Sequence, residues 1–84
     1  MKKNILITGG SGYLGVNLAI NLKKKYNIFL GSRNQKRNLE ATQQTLCESI
    51  PLDISNINSV RDAVIYSKPH IIIHAAATKF VDIS

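Results

Sequence analysis

The chain has 84 residues, 44% apolar and 19% charged, with 11 Lys+Arg against 5 Asp+Glu and a net charge of +6. That balance is globular and excludes a disordered tail or a coiled coil, while the length allows one small domain or part of a larger one. A single cysteine, Cys47, excludes a disulfide scaffold or a zinc cluster made by this chain alone and suits a reducing compartment.

Residues 4–7, Asn-Ile-Leu-Ile, form a short run rich in β-branched residues, as a strand covered on both faces would. Residues 13–25 predict a helix. Leu14, Leu18 and Leu22 recur every fourth position beside Ala19 and Ile20, and Lys23, Lys24 and Lys25 sit in the last turn, where cations favour the dipole. Residues 27–30 predict a second strand, ended by Gly31, and residues 35–46 a polar helix. Residues 49–52 are a third extended piece. Residues 56–67 predict a helix with Ile57, Val60, Val64 and Ile65 on one side, stopped by Pro69. Residues 71–73, three isoleucines, are a fourth strand running into His74. Strands alternating with helices imply an α/β fold with a doubly wound parallel sheet. Right-handed crossovers give it the strand order 3-2-1-4.

The sharpest motif is Thr8-Gly9-Gly10-Ser11-Gly12-Tyr13-Leu14-Gly15, between the first strand and the first helix. Gly9 permits the tight turn off the strand. Gly12 removes a side chain where a pyrophosphate must approach the backbone. Gly15 lets the helix pack close to the strands. The helix start offers free N–H groups and a positive dipole end to an anion.

This loop resembles that of the extended short-chain dehydrogenase/reductase family, whose first loop reads T-G-x-x-G-[FY]-[LI]-G. The match holds from Thr8 to Gly15, with Tyr13 at the aromatic position. The resemblance implies the N-terminal part of a dinucleotide-binding Rossmann domain over residues 1–84, with the catalytic and substrate-binding parts outside them. It also implies a nucleotide-sugar epimerase, dehydratase or reductase, and assigns Gly9, Ser11, Gly12, Tyr13, Leu14 and Gly15 to the cofactor.

The second strand leads into Leu30-Gly31-Ser32-Arg33-Asn34-Gln35-Lys36-Arg37, and no acid stands between Asn27 and Leu39. An NAD site usually places Asp or Glu here for the ribose 2′-hydroxyl, whereas Arg suits the 2′-phosphate of NADP. Ser32 and Arg33 therefore favour NADP over NAD, with Lys36 and Arg37 adding positive field. The remaining basic residues are scattered and lack interleaved aromatics, so no nucleic-acid partner is expected.

Asp53 and Ile54 follow the third strand. In the resembled family an Asp followed by an aliphatic residue meets the adenine there. The competing role for Asp53 is to cap the next helix, but the spacing favours Ser55 or Asn56 as the cap and leaves Asp53 free. His74-Ala75-Ala76-Ala77 matches the family's H-x-A-A element, so Ala75, Ala76 and Ala77 are expected along the middle of the cofactor. His74 reads as a packed histidine at a strand end rather than a base, and His70 as a surface residue. Lys79 is assigned to the cofactor site, with the sugar nucleotide and solvent as its other readings. The stretch from Ala75 to Asp82 resembles both polysaccharide-biosynthesis dehydratases and sugar-nucleotide reductases.

The family's chemistry depends on a Tyr-x-x-x-Lys pair, in which the Lys charge lowers the tyrosine pKa. Four residues after Tyr13, Tyr26 and Tyr66 stand Asn17, Leu30 and His70, so no catalytic residue is assigned. A non-catalytic NAD(P)-binding sensor of the same fold is the alternative. No apolar run reaches the roughly 18 residues that span a bilayer, and the glycines after Thr8 break the signal-like start. The expected setting is the cytoplasm. The fourth strand should leave an open sheet edge, and with it a tendency to form a homo-oligomer.

Overall fold

A computed structural model describes residues 2–75. In chain order the elements are β1 (Lys3–Thr8), α1 (Tyr13–Leu22), β2 (Tyr26–Ser32), α2 (Gln35–Thr45), β3 (Glu48–Pro51), α3 (Ile57–Ser67) and β4 (Ile71–His74). The four strands are parallel and lie in the order β3-β2-β1-β4, as the alternation of elements predicts.

The central strand β1 is buried on both faces, and its alternate side chains feed two cores. Ile5 and Ile7 join Ile28, Leu30, Ala19, Ala41 and Cys47 beneath α1 and α2. Leu6 joins Ile50, Leu52 and Ala63 beneath α3, with Phe29, Val60 and Val64 packed alongside. Each helix meets the sheet through a buried alanine, namely Ala19, Ala41 or Ala63. A small residue at the closest point lets the backbone approach while larger neighbours fill the flanks. Burying each Ile or Leu side chain of β1 contributes about 1.5–3 kcal/mol.

Three sequence expectations change. The helix predicted to Lys25 ends at Leu22, because the chain must turn in time for Tyr26 to pair with Lys3. The lysines therefore lie beyond its last turn. Lys23 instead donates through Nζ to the carbonyl of Thr45 at 2.9 Å, tying the ends of α1 and α2 together. Within α1, Leu14 and Ile20 are exposed, and the inward face is built on Gly15 and Ala19 with Leu18 and Leu22 beside them. Within α3, Ile57 and Ile65 are exposed, and Ala63 and Ser67 take the buried line with Val60 and Val64. In both helices the small residues, not the largest apolar ones, mark the contact face.

Both α2 and α3 end in a left-handed residue, Leu46 (φ 61°) and Lys68 (φ 45°). Their N–H groups close onto Thr42 and Val64. Pro69 then blocks any continuation of α3.

Candidate functional site

The carbonyl ends of β1 and β2 meet the start of α1, and the glycine loop joins them. Gly9 adopts φ 69°, which a side chain would strain. Gly10 N–H donates to the carbonyl of Gly31 at 3.0 Å, and Gly12 N–H to that of Gly9 at 3.1 Å, so the loop is fastened to β2 and folded on itself.

The glycines divide into two kinds. A Cβ on Gly15 would lie 2.5–2.7 Å from the backbone of Gly10, and one on Gly10 would lie 2.9 Å from Leu30 Cα. This corrects the sequence reading, which gave Gly15 the contact with the strands. Gly15 backs onto the loop, and Gly10, passed over in the motif, makes the strand contact. Gly31 also proves to be inside β2 rather than its terminator, and a Cβ there would strike Leu52 at 2.6 Å. A Cβ on Gly12 would meet only the Gly9 carbonyl, at 3.4 Å. Protein packing demands Gly10, Gly15 and Gly31, but it does not demand Gly12.

The first turn of α1 is uncapped. Gly12 stands at the N-cap with no side chain to accept from the turn's N–H groups, whereas Asn34 caps α2 and Asn56 caps α3. These free donors and the positive dipole end face a concavity of about 660 Å³. Its walls are Gly9, Ser11, Gly12, Tyr13, Leu14, Ser32, Arg33, Asn34, Arg37 and Ala75. It adjoins a second pocket of about 360 Å³, walled by Gly9, Ser32, Arg33, Leu52, Asp53, Ile54 and Ser55. Gly9, Ser32 and Arg33 are common to both. Together the two spaces make an elongated cleft along the carbonyl ends of β1, β2 and β3. Tyr13, Leu14 and Ile54 are exposed apolar side chains at its mouth.

The cleft also brings together Arg33, Arg37 and Asp53, whereas Lys36, expected to add to the same positive field, lines a separate hollow beside β3. Arg33 and Arg37 lie on the α2 side. Ser32 Oγ accepts from Asn34 N–H at 3.1 Å, and Asn34 Oδ1 accepts from Arg37 N–H at 3.0 Å, so the turn carrying Arg33 is braced on both sides. Asp53 lies across the smaller pocket. Its Oδ1 accepts from Ser55 Oγ at 2.7 Å and Ser55 N–H at 3.0 Å. These bonds, with the Arg33 charge adding to them, hold its carboxyl below the usual carboxylate range. Asn56 is the cap of α3, as one of the two expected candidates. Asp53 is nevertheless not wholly free, because one oxygen is engaged by Ser55.

His74 departs from the packed histidine expected. It is exposed, and its Nδ1 lies 2.6 Å from Thr8 Oγ1 across the β1–β4 pair. The end strand β4 has no further strand beside it among the described residues, which leaves the ring uncovered. Ala75 is buried, and its N–H donates to the Thr8 carbonyl at 2.8 Å. Ala76, Ala77 and Lys79 lie outside the described residues. His70 is exposed, as expected, and its Nδ1 accepts from Asn4 N–H.

A larger groove of about 710 Å³ runs between β3 and α3. Its polar groups mostly serve the fold. Asn56 caps the helix, Ser59 Oγ accepts from Asp53 N–H, and Tyr66 donates to Glu48, whose acceptance raises the phenol's pKa. It has neither a basic wall nor an uncapped helix start.

The cleft can therefore bind an elongated anion. The room at Gly12, the uncapped first turn and the two arginines all suit negative charge. Among the described residues no three His, Cys, Asp or Glu side chains come together as a metal site.

Comparison with known proteins bears on the fold and the family. A curated relative, the GDP-6-deoxy-D-talose 4-dehydrogenase of Aggregatibacter actinomycetemcomitans, is 36% identical over 77 residues, 92% of this chain and 22% of the relative. A short chain dehydrogenase from Bacillus anthracis superposes with a TM-score of 0.81 at 21% identity, over 95% of this chain and 37% of that one. The L-threonine dehydrogenase of Clostridium difficile does so with a TM-score of 0.76 at 28% identity, over 93% and 25%. The chain thus spans 22–37% of the length of these proteins. Residues 5–84 match the NAD dependent epimerase/dehydratase family, and the chain belongs to that family.

Proposed function

We propose that this chain is the NADP-binding, N-terminal part of the Rossmann domain of an enzyme acting on a nucleotide sugar. The observation that carries the reading is the uncapped start of α1, which opens onto a cleft walled by Arg33 and Arg37 with no carboxylate at the end of β2. Gly9, Ser11, Gly12, Tyr13, Leu14 and Gly15 form or support the pyrophosphate cradle. Ser32 and Arg33 hold the 2′-phosphate through charge-assisted hydrogen bonds. Asp53, through the oxygen that Ser55 leaves open, accepts from the adenine amine, with Ile54 beside the ring. Ala75, Ala76 and Ala77 border the middle of the cofactor, and Lys79 follows on the same segment.

When bound, the nicotinamide supplies hydride exchange with a sugar carbon. The residues of this chain bind and orient; the proton-transfer groups belong to the remainder of a longer protein. The relative that acts on a GDP-linked sugar supports a nucleotide sugar as substrate. Surface-sugar or polysaccharide biosynthesis in the cytoplasm is the setting that fits such a substrate. A homo-oligomer is the proposed assembly of the whole protein.

Parallel titrations with NADPH and NADH test the cofactor assignment. NADPH is expected to bind at least about tenfold tighter, and Arg33→Ala to remove that preference with little effect on NADH. Equal affinities would exclude the 2′-phosphate role.

A further inference from the structure

We propose that Asn38 is a positioning residue for the adenosine end of the cleft, a role that rests on the dinucleotide-binding function proposed above. Asn38 lies one turn into α2 and is only 6% exposed. Its Nδ2 donates to the carbonyl of Ser32 at 2.9 Å and to that of Ile50 at 3.3 Å. One amide thereby joins the ends of two neighbouring strands to the helix that follows the Arg33 turn.

The bonds around it converge on that turn. The Ser32 carbonyl also accepts from Leu52 N–H at 3.0 Å, one residue before Asp53. Asn38 N–H donates to the Asn34 carbonyl, whereas the Asn38 carbonyl accepts from Ser49 Oγ, a bond to β3 rather than to the turn. Ser32 and Leu52 both wall the smaller pocket, with Arg33 and Asp53 adjoining them. The amide therefore fixes the separation of the two walls between which the adenosine must fit.

An apolar residue would be the easier occupant of this position. The Asn38 Oδ1 is buried and finds no hydrogen-bond donor among the described residues, a cost that a buried amide normally avoids. The two donated bonds, which no aliphatic side chain could make, are what the amide brings in return. Sequence reasoning gives no sign of this, because an asparagine in a polar helix reads as solvated surface.

The test separates geometry from stability by using the two halves of the recognition problem as probes. Adenosine 2′,5′-bisphosphate and adenosine 5′-monophosphate are titrated calorimetrically into the full chain and its variants, and the ratio of their affinities is read. Asn38→Ala is expected to lower the wild-type preference for the bisphosphate about tenfold by releasing the Arg33 turn. Ser49→Ala removes hydrogen bonds between α2 and β3 without touching Ser32, and should leave the ratio unchanged even if it lowers the melting temperature as much. Asn38→Ser, whose shorter hydroxyl should turn to the carbonyl four residues back as those of Thr45 and Ser67 do, should behave like alanine, and it decides the matter should Asn38→Ala fail to fold. An unchanged ratio in Asn38→Ser and any folded Asn38→Ala, or an equal drop in Ser49→Ala, overturns the positioning role alone. A wild-type chain that does not distinguish the two probes overturns this role and the 2′-phosphate assignment together.

Discussion

Helix α3 begins beneath Asn56, whose Oδ1 accepts from the N–H groups of Asn58 and Ser59 at 2.9 and 3.2 Å. Helix α1 begins at Gly12, which offers its first turn no such acceptor. A cap normally contributes about 1 kcal/mol, so α1 forgoes a stabilisation that α3 takes. The uncapped donors face the cleft, while the capped ones of α3 border a groove most of whose polar groups serve the fold. The contrast teaches that a helix start left locally unsatisfied, beside a glycine the packing does not require, is open to a ligand.

The comparison can be broken most severely at the loop glycines. Gly15→Ala would press a Cβ to within 2.5–2.7 Å of the Gly10 backbone, which cannot yield as a flexible side chain could. A loss of about 3 kcal/mol or more is expected in denaturant unfolding. Gly12→Ala sharpens the same comparison, since its Cβ meets only the Gly9 carbonyl at 3.4 Å. Stability should change by less than about 1 kcal/mol, while NADPH affinity falls about tenfold or more because the methyl group occupies the pyrophosphate's approach. Equal effects of the two substitutions on stability would erase the distinction between packing glycine and ligand glycine.

Asn56→Ala tests the other helix. It should cost about 1 kcal/mol of stability and leave cofactor affinity untouched. The smallest effect is at Asp53. Its folded carboxyl titrates below the ordinary value because Ser55 donates to it. A depressed folded pKa contributes stability that is in place above the unfolded value and is lost as pH falls through the folded one. Ser55→Ala should therefore raise the Asp53 pKa towards 3.8 and flatten the acid limb of the stability curve, as a carboxyl NMR titration would record.

Much of this was legible in the sequence. The strand order followed from the alternation of elements, because parallel strands joined by right-handed crossovers leave few arrangements. The loop from Thr8 to Gly15 announced itself because its turn, close approach and helix start need glycine at fixed spacings. Contact faces were less legible. Leu14, Ile20, Ile57 and Ile65 looked like core by hydrophobicity, yet the close contacts are made by Gly15, Ala19, Ala63 and Ser67, since backbone proximity selects small residues. Gly10 and Gly31 were hidden for a related reason. Their role depends on Leu30 and Leu52, partners distant in the chain that no local pattern reveals. The exposed, hydrogen-bonded state of His74 likewise depends on its neighbour Thr8 across the sheet and on the end position of β4.

The most direct test of the central claim is to titrate NADP into the isotopically labelled chain and follow its backbone amides by NMR. The uncapped amides of Tyr13 and Leu14, with those of Ser32 and Arg33, should shift in a saturable manner, while the capped amides of Asn58 and Ser59 hold still. Saturable shifts centred on α3, or none at α1, would contradict the assignment of the cleft.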